Sequence, residues 1–334
     1  MRVKRCVPLV GLVACLVACA SMASAEWTFS GYTQARLNVW DKDADKDDAF
    51  DLRRVRIKVV ASISEGTEAK LQLDLGKMDE TGLGEVGLKD ALITRKLSDS
   101  WKGMLGFTSV PFGYEVPTSS SSRLPLERSR VARWFFPGER NTALAFQYKP
   151  SASNQPEVVV GYGNGLAEWY EAEEQGDAQT LFARAQFPLK NGGTAGASVL
   201  FANRHVDALE EAGVSLAAAA PGDYDDTVFG AHARYNFAKQ FAVQAELFTG
   251  TILDVDLTGW YAMLEASLNN SPTTFFYRYD TADYASKAQE YTGHTFGVAH
   301  DLTKHDRFTA QVEMLDTESG STQTNFGIQY QVKY

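Results

Sequence analysis

The sequence predicts an all-β chain, a transmembrane antiparallel β-barrel of sixteen strands. Three observations carry this. First, the last nine residues alternate: Phe326, Ile328, Tyr330, Val332 and Tyr334 are apolar, and Gly327, Gln329, Gln331 and Lys333 between them are small or polar. One face of such a strand tolerates lipid and the other water, which is how a closed sheet in a membrane is written; an edge strand of a soluble sandwich would show the same local pattern. Second, similar segments recur along the chain between clusters of Gly, Pro, Asp and Asn. Third, the connections between them alternate in length, which a soluble sandwich does not require.

The strands read in order as follows. In Thr28 to Trp40, Ala35, Leu37 and Val39 face one way and Gln34, Arg36 and Asn38 the other. In Leu52 to Ile63, Val55, Ile57, Val59, Ala61 and Ile63 oppose Arg54, Arg56 and Lys58. Ala69, Leu71, Leu73 and Leu75 then alternate with Lys70, Gln72 and Asp74. Leu88–Leu97, Trp101–Val110, Thr142–Lys149, Glu157–Gly163, Gln179–Phe187 and Thr194–Ala202 follow. The last third contains Thr227–Phe237, Phe241–Phe248, Leu257–Leu268, Thr273–Tyr279, Thr292–Leu302, Arg307–Leu315 and Thr324–Tyr334. Short connections such as Ser64–Thr67 and Ala238–Gln240 take turns with longer ones such as Asp41–Ala49, Pro111–Asn141, Asn164–Ala178, Asn203–Asp226 and Asp280–Tyr291. Sixteen strands at roughly nineteen residues each, connection included, use up residues 26–334; fourteen or eighteen also fit, and the even count is the firmer expectation.

The amino terminus reads as an export signal. Arg2, Lys4 and Arg5 precede an apolar run from Val7 to Ala18, and Ala23-Ser24-Ala25 offers a small-x-small cleavage site before Glu26. The run is too short to span a bilayer as a helix. Residues 1–25 are therefore expected to be removed and residues 26–334 to form the barrel. Leu16-Val17-Ala18-Cys19 also fits a lipoprotein site, so lipidation at Cys19 stays open. All three cysteines (Cys6, Cys15, Cys19) precede Glu26, so a form cleaved after Ala25 has no thiol for a disulfide, zinc site or nucleophile.

Composition narrows the class further. Without the three basic residues of the signal, 29 Lys+Arg stand against 42 Asp+Glu, a net −13. Such a balance argues against a nucleic-acid partner. After the signal no apolar run approaches the length of a spanning helix, so a membrane role must use strands. Mean hydropathy of −0.25 fits a barrel with a wet lumen, because only alternate residues face lipid. Aromatics such as Trp27, Trp40, Trp101, Tyr148, Tyr162, Tyr235, Trp260, Tyr277 and Tyr330 sit in or beside the strands, as interfacial girdles would.

The most distinctive stretch is Pro111-Phe112-Gly113-Tyr114-Glu115, followed by Thr118-Ser119-Ser120 and Leu126-Glu127-Arg128-Ser129. With the basic strand Asp51-Leu52-Arg53-Arg54-Val55-Arg56-Ile57 and the terminal strand, it resembles the phosphate-selective porin O and P family. The layout fits over the chain from residue 26, with the specific motifs between Asp51 and Gly138. The resemblance implies a homotrimeric channel of the outer membrane, without a cofactor, whose third loop folds into the lumen as a constriction loop over about residues 111–141. The acidic balance departs from what a dedicated anion channel would advertise. The terminal aromatic likewise resembles the signal by which the barrel-assembly machinery reads the last strand.

Read from its residues alone, Pro111 to Asn141 is too long for a passive turn. It carries Arg123, Arg128, Arg130, Arg133 and Arg140 against Glu115, Glu127 and Glu139. If it folds inward, these guanidiniums meet Arg54, Arg56 and Lys58 on the wall, and a ring of basic side chains lowers the barrier for anions. The alternative is that the arginines pair with Glu115, Glu127, Glu139 and Asp51 and merely pin the loop. Both remain open at this point.

The residues give little support to other functions. A barrel hydrolase needs serine, histidine and an orienting group together, and none of His205, His232, His294, His300 and His305 lies in a nucleophile motif. The acidic run Glu168, Glu171, Glu173, Glu174, Asp177 lacks the spacing of a calcium loop; it fits a solvated loop or divalent bridging between lipopolysaccharides. The expected function is a non-enzymatic, passive channel for small hydrophilic anions such as phosphate. A general or cation-preferring channel, or an adhesion barrel, is the alternative.

Overall fold

The computed structural model describes residues 25–41, 49–77, 85–136, 140–152, 154–164, 179–205, 223–252, 254–284, 291–317 and 322–334. The leader up to residue 24, Glu139, and the acidic run between Glu168 and Asp177 lie outside the described residues. Sixteen strands form one closed antiparallel barrel in which each pairs with its neighbours in sequence. They are β1 (Glu26–Trp40), β2 (Ala49–Ser64), β3 (Thr67–Lys77), β4 (Glu85–Lys96), β5 (Trp101–Ser109), β6 (Arg140–Tyr148), β7 (Glu157–Asn164) and β8 (Gln179–Pro188). The second half is β9 (Thr194–His205), β10 (Asp223–Asn236), β11 (Phe241–Ile252), β12 (Val255–Ser267), β13 (Thr273–Tyr284), β14 (Tyr291–Asp301), β15 (Asp306–Thr317) and β16 (Thr322–Lys333).

Closure is made by β1 against β16, from Tyr32 opposite Lys333 to Trp40 opposite Asn325. Tyr334 extends the seam: Gly31 N–H donates to its carbonyl at 2.8 Å, and its own N–H donates back to Gly31 at 3.1 Å. Closing the sheet removes every unpaired edge, the condition for strands to cross lipid.

The alternation written in the sequence becomes inside and outside. On β16, Phe326 and Tyr330 are exposed on the outer wall while Gln329 and Gln331 are buried within. On β2, Ile57 faces out and Arg54 and Arg56 face in. Several boundaries differ from the sequence reading, and two of them change a connection. β13 runs on to Tyr284, because Thr281 and Ala282 stay paired with Thr292 and Tyr291. β11 and β12 meet in a tight hairpin at Asp254, which takes φ +58°, on the end of the barrel otherwise given to longer loops.

Residues 110–136, leading from β5 toward β6, fold into the lumen. They end in one helical turn and a half, α1 (Arg130–Phe135), capped by the Ser129 hydroxyl, which accepts from Ala132 N–H. Val110, Phe112, Val116, Val131, Phe135 and Phe136 are buried there against Leu200, Val228, Phe248 and Tyr261 of the wall. A lumen wetted on every side is therefore not what forms. Phe182 opposes Leu200, and Leu200 opposes Val228, so an apolar row crosses β8, β9 and β10 on the inner face and the loop packs upon it.

Candidate functional site

The other side of the loop faces β1 to β6, and there a cavity of about 540 Å³ remains. It is lined by Arg54, Arg56 and Lys58 of β2, Lys70 of β3, Arg140 of β6, Lys333 of β16, and Arg123 and Arg128 of the loop. Against these eight cations the lining holds, among the described residues, one acidic side chain, Asp90, together with hydroxyls of Thr108, Thr118, Ser119, Ser120 and Ser121.

Local sequence explains the placement. Arg54, Arg56 and Lys58 share the inward parity of β2, and antiparallel register sets Arg56 opposite Tyr32 and Asp74, and Lys58 opposite Gln72. The loop reaches this wall through its serine run. Tyr32 and Ser120 hydroxyls are 2.5 Å apart, Gln34 Nε2 donates to the Ser120 carbonyl at 3.3 Å, and Gln331 Nε2 donates to the Ser121 carbonyl at 3.1 Å.

Glu127 is the hub of the site. Its carboxylate meets Arg36 at 2.9 Å, Arg53 at 2.8 Å and Arg54 at 2.7 Å. Burial would raise this carboxyl, but Arg54, Arg53 and Arg36 hold it well below the usual carboxylate range. One carboxylate against three guanidiniums leaves two positive charges uncompensated. Elsewhere Arg56 pairs with Asp74 at 2.8 Å and Lys70 with Asp90 at 3.2 Å.

The other cations of the lining stand apart from these pairs. Arg123 is 9 % exposed, and its Nε and Nη1 find no hydrogen-bond partner among the described residues. Burial, then repulsion from Arg128 and Arg54, pushes its guanidinium well below the usual arginine value. The Lys58 ammonium likewise has no ion-pair partner among the described residues. Arg128 donates to the carbonyls of Glu115 and Val116 at 3.2 and 2.7 Å, and Arg140 Nε to that of Lys89 at 2.6 Å.

Six of the eight cations expected from sequence thus come together: Arg54, Arg56, Lys58, Arg123, Arg128 and Arg140. Arg130 and Arg133 do not join them. They lie on α1, where Arg130 stands 5.6 Å over the Tyr291 ring and Arg133 reaches Glu313 at 3.9 Å. Lys70 and Lys333 complete the cavity, and both had shown inward parity in the sequence. His294 and His300 belong to the wall, bonded to the Tyr277 hydroxyl at 2.9 Å and to Thr273 Oγ1 at 2.8 Å.

A profile of the phosphate-selective porin O and P family matches residues 30–266, a span holding the basic strand, the inserted loop and most of the barrel. The chain belongs to that family. It is an outer-membrane porin, and its barrel is a channel scaffold rather than an enzyme. No curated protein matches the sequence. Among solved structures, the trimer form of OmpT, an outer membrane protein of Vibrio cholerae, is similar with a TM-score of 0.66 at 12% identity, covering 93% of this chain and 99% of that one. The outer membrane channel DcaP of Acinetobacter baumannii gives 0.65 at 12% identity, covering 93% and 97%. A triple mutant of the Rhodopseudomonas blastica porin gives 0.59 at 13% identity, covering 92% and 100%. At these identities the likeness speaks for the fold.

Proposed function

We propose that this porin is a passive diffusion channel that prefers small hydrophilic anions, phosphate among them. The observation that carries the reading is the lining of the lumenal cavity, eight cationic side chains with one acid. An ion in a narrow, partly desolvated passage feels charges within a few ångströms far more than acidic loops beyond a Debye length of about 8 Å. The hydroxyls between the cations suit an oxyanion that sheds part of its water. Purified protein in a planar bilayer should give stepwise ohmic conductance. In a salt gradient its reversal potential should report anion preference, and Arg54→Glu, Arg56→Glu and Arg128→Glu should each move it toward cations.

The competing reading is a general or cation-preferring pore. It rests on the connections at the long-loop end other than the inserted one: residues 41–48, 78–84, 165–178, 206–222, 253–254, 285–290 and 318–321 carry 18 Asp+Glu and three lysines. A cation preference in the unaltered channel, or a reversal potential unmoved by the three substitutions, decides for it.

The remaining expectations follow from this reading. The porin works as a homotrimer, as the trimer form of OmpT supports, and sits among outer-membrane lipid and lipopolysaccharide. It is exported through the periplasm after cleavage behind Ala25, and its final strand is read by the assembly machinery. The mass of the mature protein tests the cleavage directly, since a diacylglycerol-modified Cys19 would replace Glu26 as its start.

A further inference from the structure

Residues 112–115 approach β11 along a series of backbone donors. Gly113 N–H donates to Ser198 Oγ at 2.9 Å. The next two N–H groups, of Tyr114 and Glu115, donate to the two oxygens of Glu246 at 2.9 and 3.1 Å. Gly113 takes φ +61°, and successive N–H groups converging beside a left-handed residue make a concave anion nest. The occupant is a carboxylate of the barrel wall itself. Glu246 is 2 % exposed and accepts a further bond from the Tyr261 hydroxyl at 3.0 Å. The fit is close from both sides, because a Cβ at position 113 would stand 1.6 Å from Glu246 Oε1. No side chain but hydrogen is accommodated there.

The held segment anchors one of the cavity's cations, Arg128. The Glu115 carbonyl receives the Arg128 guanidinium, and its carboxylate receives the N–H and hydroxyl of Ser129 at 2.9 and 2.6 Å. Whatever fixes Tyr114 and Glu115 therefore fixes the point from which Arg128 faces the pore.

We propose that Glu246 is the positioning residue of the constriction loop, its carboxylate seated on the backbone N–H groups of Tyr114 and Glu115 beside Gly113. Its effect on selectivity rests on the anion-pore reading above; the latch itself does not. Without the carboxylate, two buried N–H groups and a tyrosine hydroxyl lose their acceptor, and the loop samples positions away from the wall. Glu246→Ala empties the nest, Glu246→Gln keeps its volume but turns an amide donor onto a donor pair, and Gly113→Ala expels the carboxylate from the opposite side.

The test uses full-length mature protein, refolded or purified in detergent, with heat-modifiable migration reporting the intact barrel. Trypsin then reads the latch, because Arg123 and Arg128 are shielded while the loop is seated. Each folded variant should be cleaved after Arg123 or Arg128 about tenfold faster than the unaltered chain, since cleavage tracks the open population. Formate at constant ionic strength should restore protection to Glu246→Ala by filling the nest, and should not restore Gly113→Ala, whose methyl occupies the space. Any folded variant with unchanged protection overturns the proposal, and so does a Glu246→Ala cleavage rate that formate leaves where it was. The two readings separate cleanly: a pore without anion preference but with a protected loop overturns the anion reading alone. A pore that keeps its preference while Glu246→Ala stays protected overturns the latch alone.

Discussion

The two sides of the lumen hold the same loop by different means, an apolar cluster with one buried carboxylate latch on the first and an open network of ion pairs on the second. Toward β8 to β12, Phe112, Phe135 and Phe136 pack on Leu200, Val228 and Phe248, with ring centroids of Phe112 and Phe136 only 4.6 Å apart. Toward β1 and β2, the loop is fastened by Glu127 to three guanidiniums and by serine carbonyls and hydroxyls to Tyr32, Gln34 and Gln331. Apolar packing fills the first side around the aromatic cluster. Ion pairing keeps the other half polar and leaves surplus charge facing a cavity. The division shows how an acidic porin can present a basic cavity: among the described residues, inward acids such as Glu127, Asp74 and Asp90 are engaged in ion pairs, and cations remain in surplus along the lining.

The largest effect should come from breaking the apolar half. Phe112 is fully buried, and Gly230 lies so close that a Cβ there would meet its ring at 2.5 Å. Phe112→Ala removes a ring from a packed core, a change that costs about 3–5 kcal/mol where the surroundings cannot collapse. The barrel should survive, since its strands pair independently of the loop, while the seated loop gives way. Single-channel recordings should then show larger conductance steps and more open-channel noise. Unchanged steps from a folded Phe112→Ala channel would mean that the polar fastenings hold the loop by themselves.

That division was only half legible beforehand. Sixteen strands could be read because period two survives wherever one face meets lipid and the other water, as in Val55 to Ile63. The cationic half was legible for the same reason: Arg54, Arg56 and Lys58 share one parity, and so do Lys70 and Lys333. The apolar half hid behind the same rule, because an inward-facing apolar residue looks like an outward-facing one shifted by one. Its trace was the adjacent pairs Leu181–Phe182, Leu200–Phe201, Val228–Phe229 and Leu247–Phe248, in which one member is exposed outside and the other buried inside. Strands covered on both faces read as continuous apolar runs. α1 was hidden inside a segment read as loop, and the split of Arg130 and Arg133 from the other arginines follows from it. Glu246 offered no signal, since the backbone nest it fills exists only once Gly113 is in place.

The polar half should break more gently. Glu127→Gln removes the shared partner of Arg36, Arg53 and Arg54, which hydrogen bonds and the wet cavity partly compensate, so we expect a loss of about 1–3 kcal/mol in stability. Its electrical effect is a gain: one more uncompensated positive charge, and a reversal potential moved further toward anions. Acid should mimic the substitution late. Because the folded carboxyl lies below the ordinary 4.5, its contribution is complete above that value and fades only as pH falls through the depressed one. Selectivity should therefore stay flat in this respect from about pH 8 to about pH 5. A shift of the reversal potential inside that window that Glu127→Gln abolishes would show the carboxyl to be far less tightly held than its three guanidiniums imply.

The smallest effect should fall within the polar half, between a paired and an unpaired cation. Arg56 lies directly opposite Asp74 and bonds it at 2.8 Å, and Asp74 also accepts the N–H groups of Val55 and Gly76, each at 3.2 Å. Seen from the cavity the pair is a short dipole, whose field falls off faster than that of a single charge. Lys58 on the same strand has no counter-charge among the described residues and acts as a point charge. Neutralising Arg56 and Asp74 together, as Arg56→Gln with Asp74→Asn, keeps the shape of the contact and the net charge of the wall. Its reversal potential should coincide with that of the unaltered channel. Lys58→Gln changes the net charge by one and should move the potential measurably toward cations, more so at low salt where screening is weak. If the paired change moves the potential as far as Lys58→Gln does, the cavity responds to individual side chains rather than to its uncompensated charge, and the account of its selectivity by surplus positive charge fails.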